Sequence, residues 1–228
     1  MPRYNAPIMC IDQNETRRYA GLKGQTNFPD TLIEQACTEA LIMTTPKGTW
    51  NTYPYNATTQ TILSNPPLKL TSTNLSRHLE KAVEVVIIAV TIGEQIETKI
   101  SELFTAGNYT LGLLLDAAGT AAVETVADAI NNFITVQNTN RGLQPIWRFS
   151  PGYGDWSITD QPHILALADG SSAGIKVTPS CMLMPRKSVT AIIGLVPKEI
   201  ISTSITCNKT SCERCSHQNC LARKESQT

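Results

Sequence analysis

The chain has no excess charge of either sign, no apolar run long enough to span a bilayer, and none of the short signatures that mark the commonest enzyme classes. Nineteen basic residues balance nineteen acidic ones, so overall charge gives no ground for binding nucleic acid or an anionic membrane, and recognition has to be local. The N-terminus MPRYNAPIMCID lacks the basic start and continuous apolar core of a secretory signal. The longest apolar run, VEVVIIAVTIG at residues 83–93, falls well short of the roughly 20 residues a spanning helix needs. On these grounds the protein is expected to be cytoplasmic. There is no serine elbow, P-loop or G-x-G-x-x-G fingerprint, and His78 and His163 have no neighbours that would complete a metal site or a triad.

The seven cysteines are an odd number in a chain of 228 residues, which argues against a disulfide framework and for free thiols or metal ligands in a reducing compartment. Four of them, Cys207, Cys212, Cys215 and Cys220, form a C-x4-C-x2-C-x4-C array in a polar tail that begins near Ile201. The chain is therefore read as a domain over residues 1–200 and a cysteine-rich appendage over 201–228.

Within the domain, Asp12 and Glu15 have capping-box spacing ahead of a short helix that ends at Gly21. Asp30 is expected to cap a second helix, in which Leu32, Ile33, Ala36, Ala40 and Met43 recur at helical spacing until Pro46. Residues 48–72, rich in Thr, Asn, Tyr and Pro, read as short strands and turns. A third helix, NLSRHLEKA, leads into the β-branched run at 83–93, which has the character of a strand buried on both faces. Two helices follow, EQIETKISELF and a long one from Thr110 to about Val136, whose first half is dense in Gly and Ala. After DQPHILALAD, a short helix, GIKVTPSCMLMP and KSVTAIIGLV are predicted as two strands paired with each other. Helix and strand patterns mix without regular β-α alternation, so the fold class is α+β, with a mainly antiparallel sheet and flanking helices.

The stretch WRFSPGYGDWSITDQPHIL, residues 147–165, carries more than a surface turn requires. Arg148 presents a rigid fork of donors suited to a carboxylate or phosphate, and equally to a structural ion pair. Tyr153, after Pro151 and Gly152, can stack on a ligand or plug its own turn. On the long helix Asp116, Thr120, Glu124 and Asp128 fall at i, i+4 steps along one side, either as a solvated stripe or as partners for a cation.

Arg148, Pro151, Gly152 and Tyr153 have the Arg-x-x-Pro-Gly-Tyr spacing of the S-adenosylmethionine-binding activation domain of cobalamin-dependent methionine synthase, which this chain resembles. VETVAD, with Val123, Glu124, Ala127 and Asp128, is similar to that family's acidic helix, and MLMPRKSVTAIIGL to its Met-x-Pro-x-x-Ser-Val segment. VTIGEQIETKISELF and LLLDAAGTAAVE have counterparts in free-standing versions, so the resemblance spans roughly residues 83–197. Where the fused enzymes carry aromatics after Ser-Val, this chain has Ala191, Ile192 and Ile193.

The resemblance implies an S-adenosylmethionine site formed by Arg148, Pro151, Gly152, Tyr153 and Glu124; Phe149, where this chain departs from the family, and Asp116, on the same stripe of the long helix, are added to it. It implies no catalytic side chain, because the cobalamin resides on a partner, the methionine synthase core. Inactive cob(II)alamin is there reductively methylated with an electron from a donor such as flavodoxin or ferredoxin, which makes the chain a methyltransferase component. The alternatives are an activator of another corrinoid protein that does not use S-adenosylmethionine, and a noncatalytic module stabilised by metal.

The resemblance does not extend to the tail. Four closely spaced thiolates satisfy either a structural zinc or an iron-sulfur cluster. Protein purified without oxygen is expected to carry one such centre: a visible chromophore that bleaches on reduction identifies a cluster, and colourless zinc a structural site. Absence of both metals, with all four thiols freely reactive in the native protein, refutes the assignment.

Overall fold

The computed structural model describes residues 2–25 and 27–200. The four tail cysteines lie outside the described residues. The chain runs β1 (Arg3–Tyr4), α1 (Gln13–Tyr19), α2 (Asp30–Met43), β2 (Lys47–Asn56), β3 (Thr61–Ile62), β4 (Leu68–Lys69), α3 (Thr73–His78), β5 (Glu84–Thr91), α4 (Gln95–Thr105), α5 (Tyr109–Thr139), β6 (Leu143–Pro145), α6 (Gln161–Leu167), β7 (Lys176–Val177), β8 (Leu183–Met184) and β9 (Ser188–Pro197). The main sheet has the order β4-β3-β2-β5-β9-β6, with β1 also on β2. Every pairing is antiparallel, as the α+β reading requires.

β5 is the axis of this sheet. It pairs along its full length with β2 on one edge and with β9 on the other, and from Val85 to Thr91 every side chain is buried. Alternation along the strand then sends Val86, Ile88 and Val90 to one face and Val85, Ile87 and Ala89 to the other. The first face packs against α1, α2, α4 and α5, and the second against α3, α6 and Trp156. Helices on both sides explain why the run is continuously apolar rather than alternating.

Some sequence expectations shift. Asp12 caps α1, accepting from the Asn14 and Glu15 amides at 2.7 and 3.1 Å, as its spacing predicted. Asp30 is the first residue of α2 rather than its cap, a role that falls to Pro29 without a side-chain hydrogen bond. Residues 47–56 form one ten-residue strand, not a series of short pieces. GIKVTPSCMLMP folds on itself as the β7–β8 hairpin, and β9 pairs with β5 and β6 instead. The β-branched, apolar segment goes to the middle of the sheet, where both faces are covered. The Pro-interrupted, partly polar one remains peripheral.

The small residues of α5 serve close packing. A side chain on Gly112 would meet the Phe104 ring of α4 at 3.3 Å, and one on Gly119 would meet Ile96 Cδ1 at 2.9 Å and the Lys187 stem at 3.4 Å. Gly194 in β9 answers the same need on the other face: its Cβ would stand 2.8 Å from Leu79 and 2.9 Å from Ile146. Gly194→Ala is expected to overpack this corner and lower stability by about 1–3 kcal/mol, read as a lower denaturant midpoint at unchanged slope. Wild-type stability in that variant refutes the packing argument.

Candidate functional site

The segment after β6 continues along β9 with one extra residue. Ile146 N–H donates to Gly194 O at 2.9 Å, while Phe149 and Ile192 exchange both backbone hydrogen bonds at 2.9 and 2.8 Å. The edge segment thus advances three residues while β9 advances two. Such a bulge re-aims the side chains between its ends. Ile146 and Phe149 stay on the face covered by α3 and α6, and Arg148 is delivered to α5. His78 of α3 holds the bulge from below, with Nε2 2.6 Å from the Trp147 carbonyl oxygen. Burial, only partly opposed by that contact, lowers the His78 pKa, so the ring is neutral at pH 7 and donates from Nε2.

Arg148 is 7% exposed and reaches two carboxylates one helical turn apart: Nη2 lies 2.5 Å from Glu124 Oε2 and Nη1 2.6 Å from Asp128 Oδ1. Its guanidinium also sits 4.6 Å from the Trp147 ring centre, within cation–π range. Burial alone would lower the Arg148 pKa, but the two carboxylates more than offset it and the guanidinium is held above its ordinary range. Of the two readings the stripe allowed, solvated or paired with a cation, Asp128 takes the second, as a full partner of Arg148.

Asp116 lies two turns before Glu124 on the same stripe. It pairs with Lys187, whose ammonium is 2.9 Å from Asp116 Oδ1 and 2.8 Å from Thr120 Oγ1. Lys187 follows the β7–β8 hairpin, and its backbone N–H donates to Glu97 in the first turn of α4 at 3.0 Å. Its stem crosses α5 at Gly119, where an added Cβ would stand 3.4 Å from Lys187 Cε and 2.9 Å from Ile96 Cδ1. Asp116, Lys187, Thr120, Glu124, Arg148 and Asp128 consequently form one alternating ladder along α5.

Two members of this neighbourhood escaped sequence reasoning. Lys187 stands in the sequence as part of a strand motif, and nothing in its local sequence points to α5. Tyr19, at the end of α1, packs against the same core and carries the Arg18 guanidinium 4.0 Å above its ring. Its phenol pKa is pushed up to about 12, first by burial and then by the charge of Glu124, with Arg18 acting in the opposite sense. The phenol is thus neutral and part of the Glu124 environment.

The Pro151–Trp156 turn is pinned at both ends. Gly152 and Gly154 take positive φ values of 91° and 58°, which favour glycine, and Gly152 N–H donates to Trp156 O at 2.8 Å. Trp156 is buried, and its indole N–H donates to Asp160 at 2.7 Å. Pro151 is buried and Tyr153 is exposed, with its ring edge-on to Phe149 at 6.3 Å between centres. Phe149 itself packs between His78 and Trp156, so it shapes the turn from the face opposite Arg148. Among the described residues no group of three or more His, Cys, Asp or Glu could hold a metal ion. None of their helices is long and apolar enough to cross a membrane.

Asp155 ties the turn to α3, accepting from the Thr73 and Asn74 amides at 2.8 and 3.2 Å and from the Ser72 hydroxyl. The Ser72 hydrogen bond and the helix amides hold its carboxyl below the ordinary aspartate range, against a smaller opposing effect of desolvation. A depressed folded pKa stabilises above the unfolded value, near 3.9, and this contribution is lost as pH falls through the folded pKa. Asp155→Asn is expected to be less stable than wild type at neutral pH and to lose less between pH 5 and pH 2. Parallel stability curves for the two proteins refute this role.

No protein-family model matches the chain, and no curated protein sequence does. In fold the chain is similar to a solved structure described as the crystal structure of the MetH reactivation domain bound to AdoHcy. The TM-score is 0.60 at 15% identity, with 90% of this chain and 80% of that one covered. The likeness is one of architecture: α+β, a mainly antiparallel sheet and flanking helices.

Proposed function

We propose that the protein binds S-adenosylmethionine at the Arg148 corner and supports reductive methylation of inactive cob(II)alamin on a cobalamin-dependent methionine synthase. The observation that carries this reading is Arg148 itself: a buried guanidinium, set by a bulge and oriented by Glu124 and Asp128, directly ahead of the Pro151-Gly152-Tyr153 turn. The fold likeness supports the same reading. S-adenosylmethionine offers a carboxylate for Arg148, an ammonium and a sulfonium for Glu124 and Asp128, and an adenosyl group for the backbone and aromatic walls of the turn. Asp116 and Lys187 extend the polar wall by two turns of α5.

Cobalamin, held by the partner, supplies the site of methylation. One electron from a donor such as flavodoxin or ferredoxin and the methyl group of S-adenosylmethionine convert cob(II)alamin to methylcobalamin and leave S-adenosylhomocysteine. This chain contributes binding and orientation rather than a nucleophile, which fits a ladder whose bases are all engaged in ion pairs. The cytoplasmic setting and the metal centre on Cys207, Cys212, Cys215 and Cys220 belong to the same proposal.

The test combines a spectral assay with calorimetry. Cob(II)alamin on the partner, with reductant and S-adenosylmethionine, is expected to become methylcobalamin only when this protein is present. Arg148→Ala is expected to weaken S-adenosylmethionine binding by about tenfold to a hundredfold, the loss of a charge-assisted contact. Equal conversion without the protein, conversion that requires ATP, or unchanged affinity in a folded Arg148→Ala protein overturns the proposal.

A further inference from the structure

We infer that a second site, for a phosphate group, lies between β1, β2 and the short 3-10 turn Gly170–Ala173. It is remote from the Arg148 corner and does not rest on the ligand reading above. β6, which leads to Arg148, closes the other edge of the sheet, with β5 and β9 between it and β2. Arg148 is turned to α5, whereas this site opens on the face that α6 covers.

The register of the strands assembles it. Arg3 stands opposite Thr49 and Tyr4 opposite Gly48, and residues that face each other across a ladder point to the same side. Lys47 and Thr49 share that side with Asn51 and Tyr53, which donate to the Leu167 carbonyl at the end of α6 at 2.8 and 2.9 Å. The turn Gly170–Ala173 follows soon after and is pressed onto the sheet: a side chain on Gly170 would collide with Leu165 and meet Ala89. Arg3, Asn5, Lys47, Thr49 and Ser172 consequently border one recess of about 180 Å³.

Two features of the recess point to an anion. The first is its charge. Its described lining holds two cations and no carboxylate, and neither Arg3 nor Lys47 has an ion-pair partner among the described residues. Asp169, the acid that precedes the turn, is not in the lining and accepts from the Ser172 hydroxyl at 2.5 Å, so Ser172 closes the wall without adding a donor.

The second feature is Thr49, which is 1% exposed and whose Oγ1 is buried with no hydrogen-bond partner. Its neighbours in the same row, Asn51 and Tyr53, are both satisfied by α6. Buried hydroxyls are rarely left unpaired. A phosphate oxygen held between the Arg3 and Lys47 heads gives the Thr49 hydroxyl its acceptor, with the Asn5 amide as a further donor. The volume sets the size of the ligand. It is below the roughly 300–1,000 Å³ of clefts that enclose drug-sized molecules, so the recess takes a free phosphate ion or the phosphate end of a longer molecule.

The experiment follows the Tm of the intact protein against inorganic phosphate and glycerol phosphate, with chloride at matched ionic strength as the reference. A ligand that binds the folded state raises Tm with its concentration. Phosphate is expected to raise Tm above the chloride reference, and Lys47→Gln and Arg3→Gln are each expected to weaken its apparent affinity about fivefold or more. Thr49→Val, which keeps the shape of the side chain and removes the hydroxyl, is expected to weaken it by a similar factor.

Inorganic phosphate as tight as the ester identifies the free ion as the ligand, and a tighter ester identifies the end of a longer molecule; either supports the site. No response beyond chloride, or a phosphate affinity that none of the three variants lowers, overturns the inference and leaves the Arg148 reading untouched. Should Thr49→Val fail to fold, Lys47→Gln and Arg3→Gln, both at exposed positions, decide alone.

Discussion

The guanidinium of Arg148, inserted between Glu124 and Asp128, is the contact on which the rest of the molecule's working surface depends. It joins two elements with no covalent proximity, the outer edge of the sheet and the exposed side of α5, across 24 and 20 residues of sequence. A cation this deep is tolerated only where it is paired and hydrogen-bonded, and both conditions are met by one helix presenting carboxylates at i and i+4. The requirement runs in both directions. Without the bulge at 147–148 the side chain would follow strand alternation, and without the acidic stripe it would be an uncompensated buried charge.

Much of the remaining architecture reads as support for that contact. β5 is anchored by neighbours on both edges and both faces, and β9, its partner over eight residues, receives the edge segment that carries Arg148. α5 is fixed from the other side by α1, α2 and α4, with glycines where α4 and the Lys187 stem come closest. The second anchor of the ladder, Lys187, is placed by Glu97 in the same way that Arg148 is placed by the bulge: a backbone constraint first, an ion pair second.

The sequence made some of this legible and hid the rest for physical reasons. The run at 83–93 announced a strand covered on both faces because burial on both sides leaves a continuous apolar signature. The i, i+4 spacing of Asp116, Thr120, Glu124 and Asp128 was visible because a helix maps sequence to space by a fixed period. β2 was obscured because Gly48 to Trp50 are buried in a row before the strand alternates, with Thr52, Pro54 and Asn56 exposed, and because Pro54 reads from sequence as a break. Lys187 and Tyr19 could not be assigned, since each reaches the site through tertiary packing. Asp128 was placed in the right stripe but not given its partner, because a bulge of one residue leaves no mark in composition.

A site built this way needs little from loops. α5 is 31 residues long, roughly 46 Å at the usual helical rise, and it carries four members of the ladder on one continuous element. The turn from Pro151 to Trp156 is the part that departs from regular structure, yet a buried indole fixes one end and the Asp155 carboxylate fastens it to the start of α3. Full burial of a large side chain contributes about 1.5–3 kcal/mol, enough to keep such a short turn in place for most of the time. Tyr153 thereby projects from a held backbone rather than a mobile one. Under the proposed function, in which the chain contributes position and charge, that rigidity is the chemically relevant property: orientation accelerates a transfer only to the extent that the groups providing it are already in place when the partners meet.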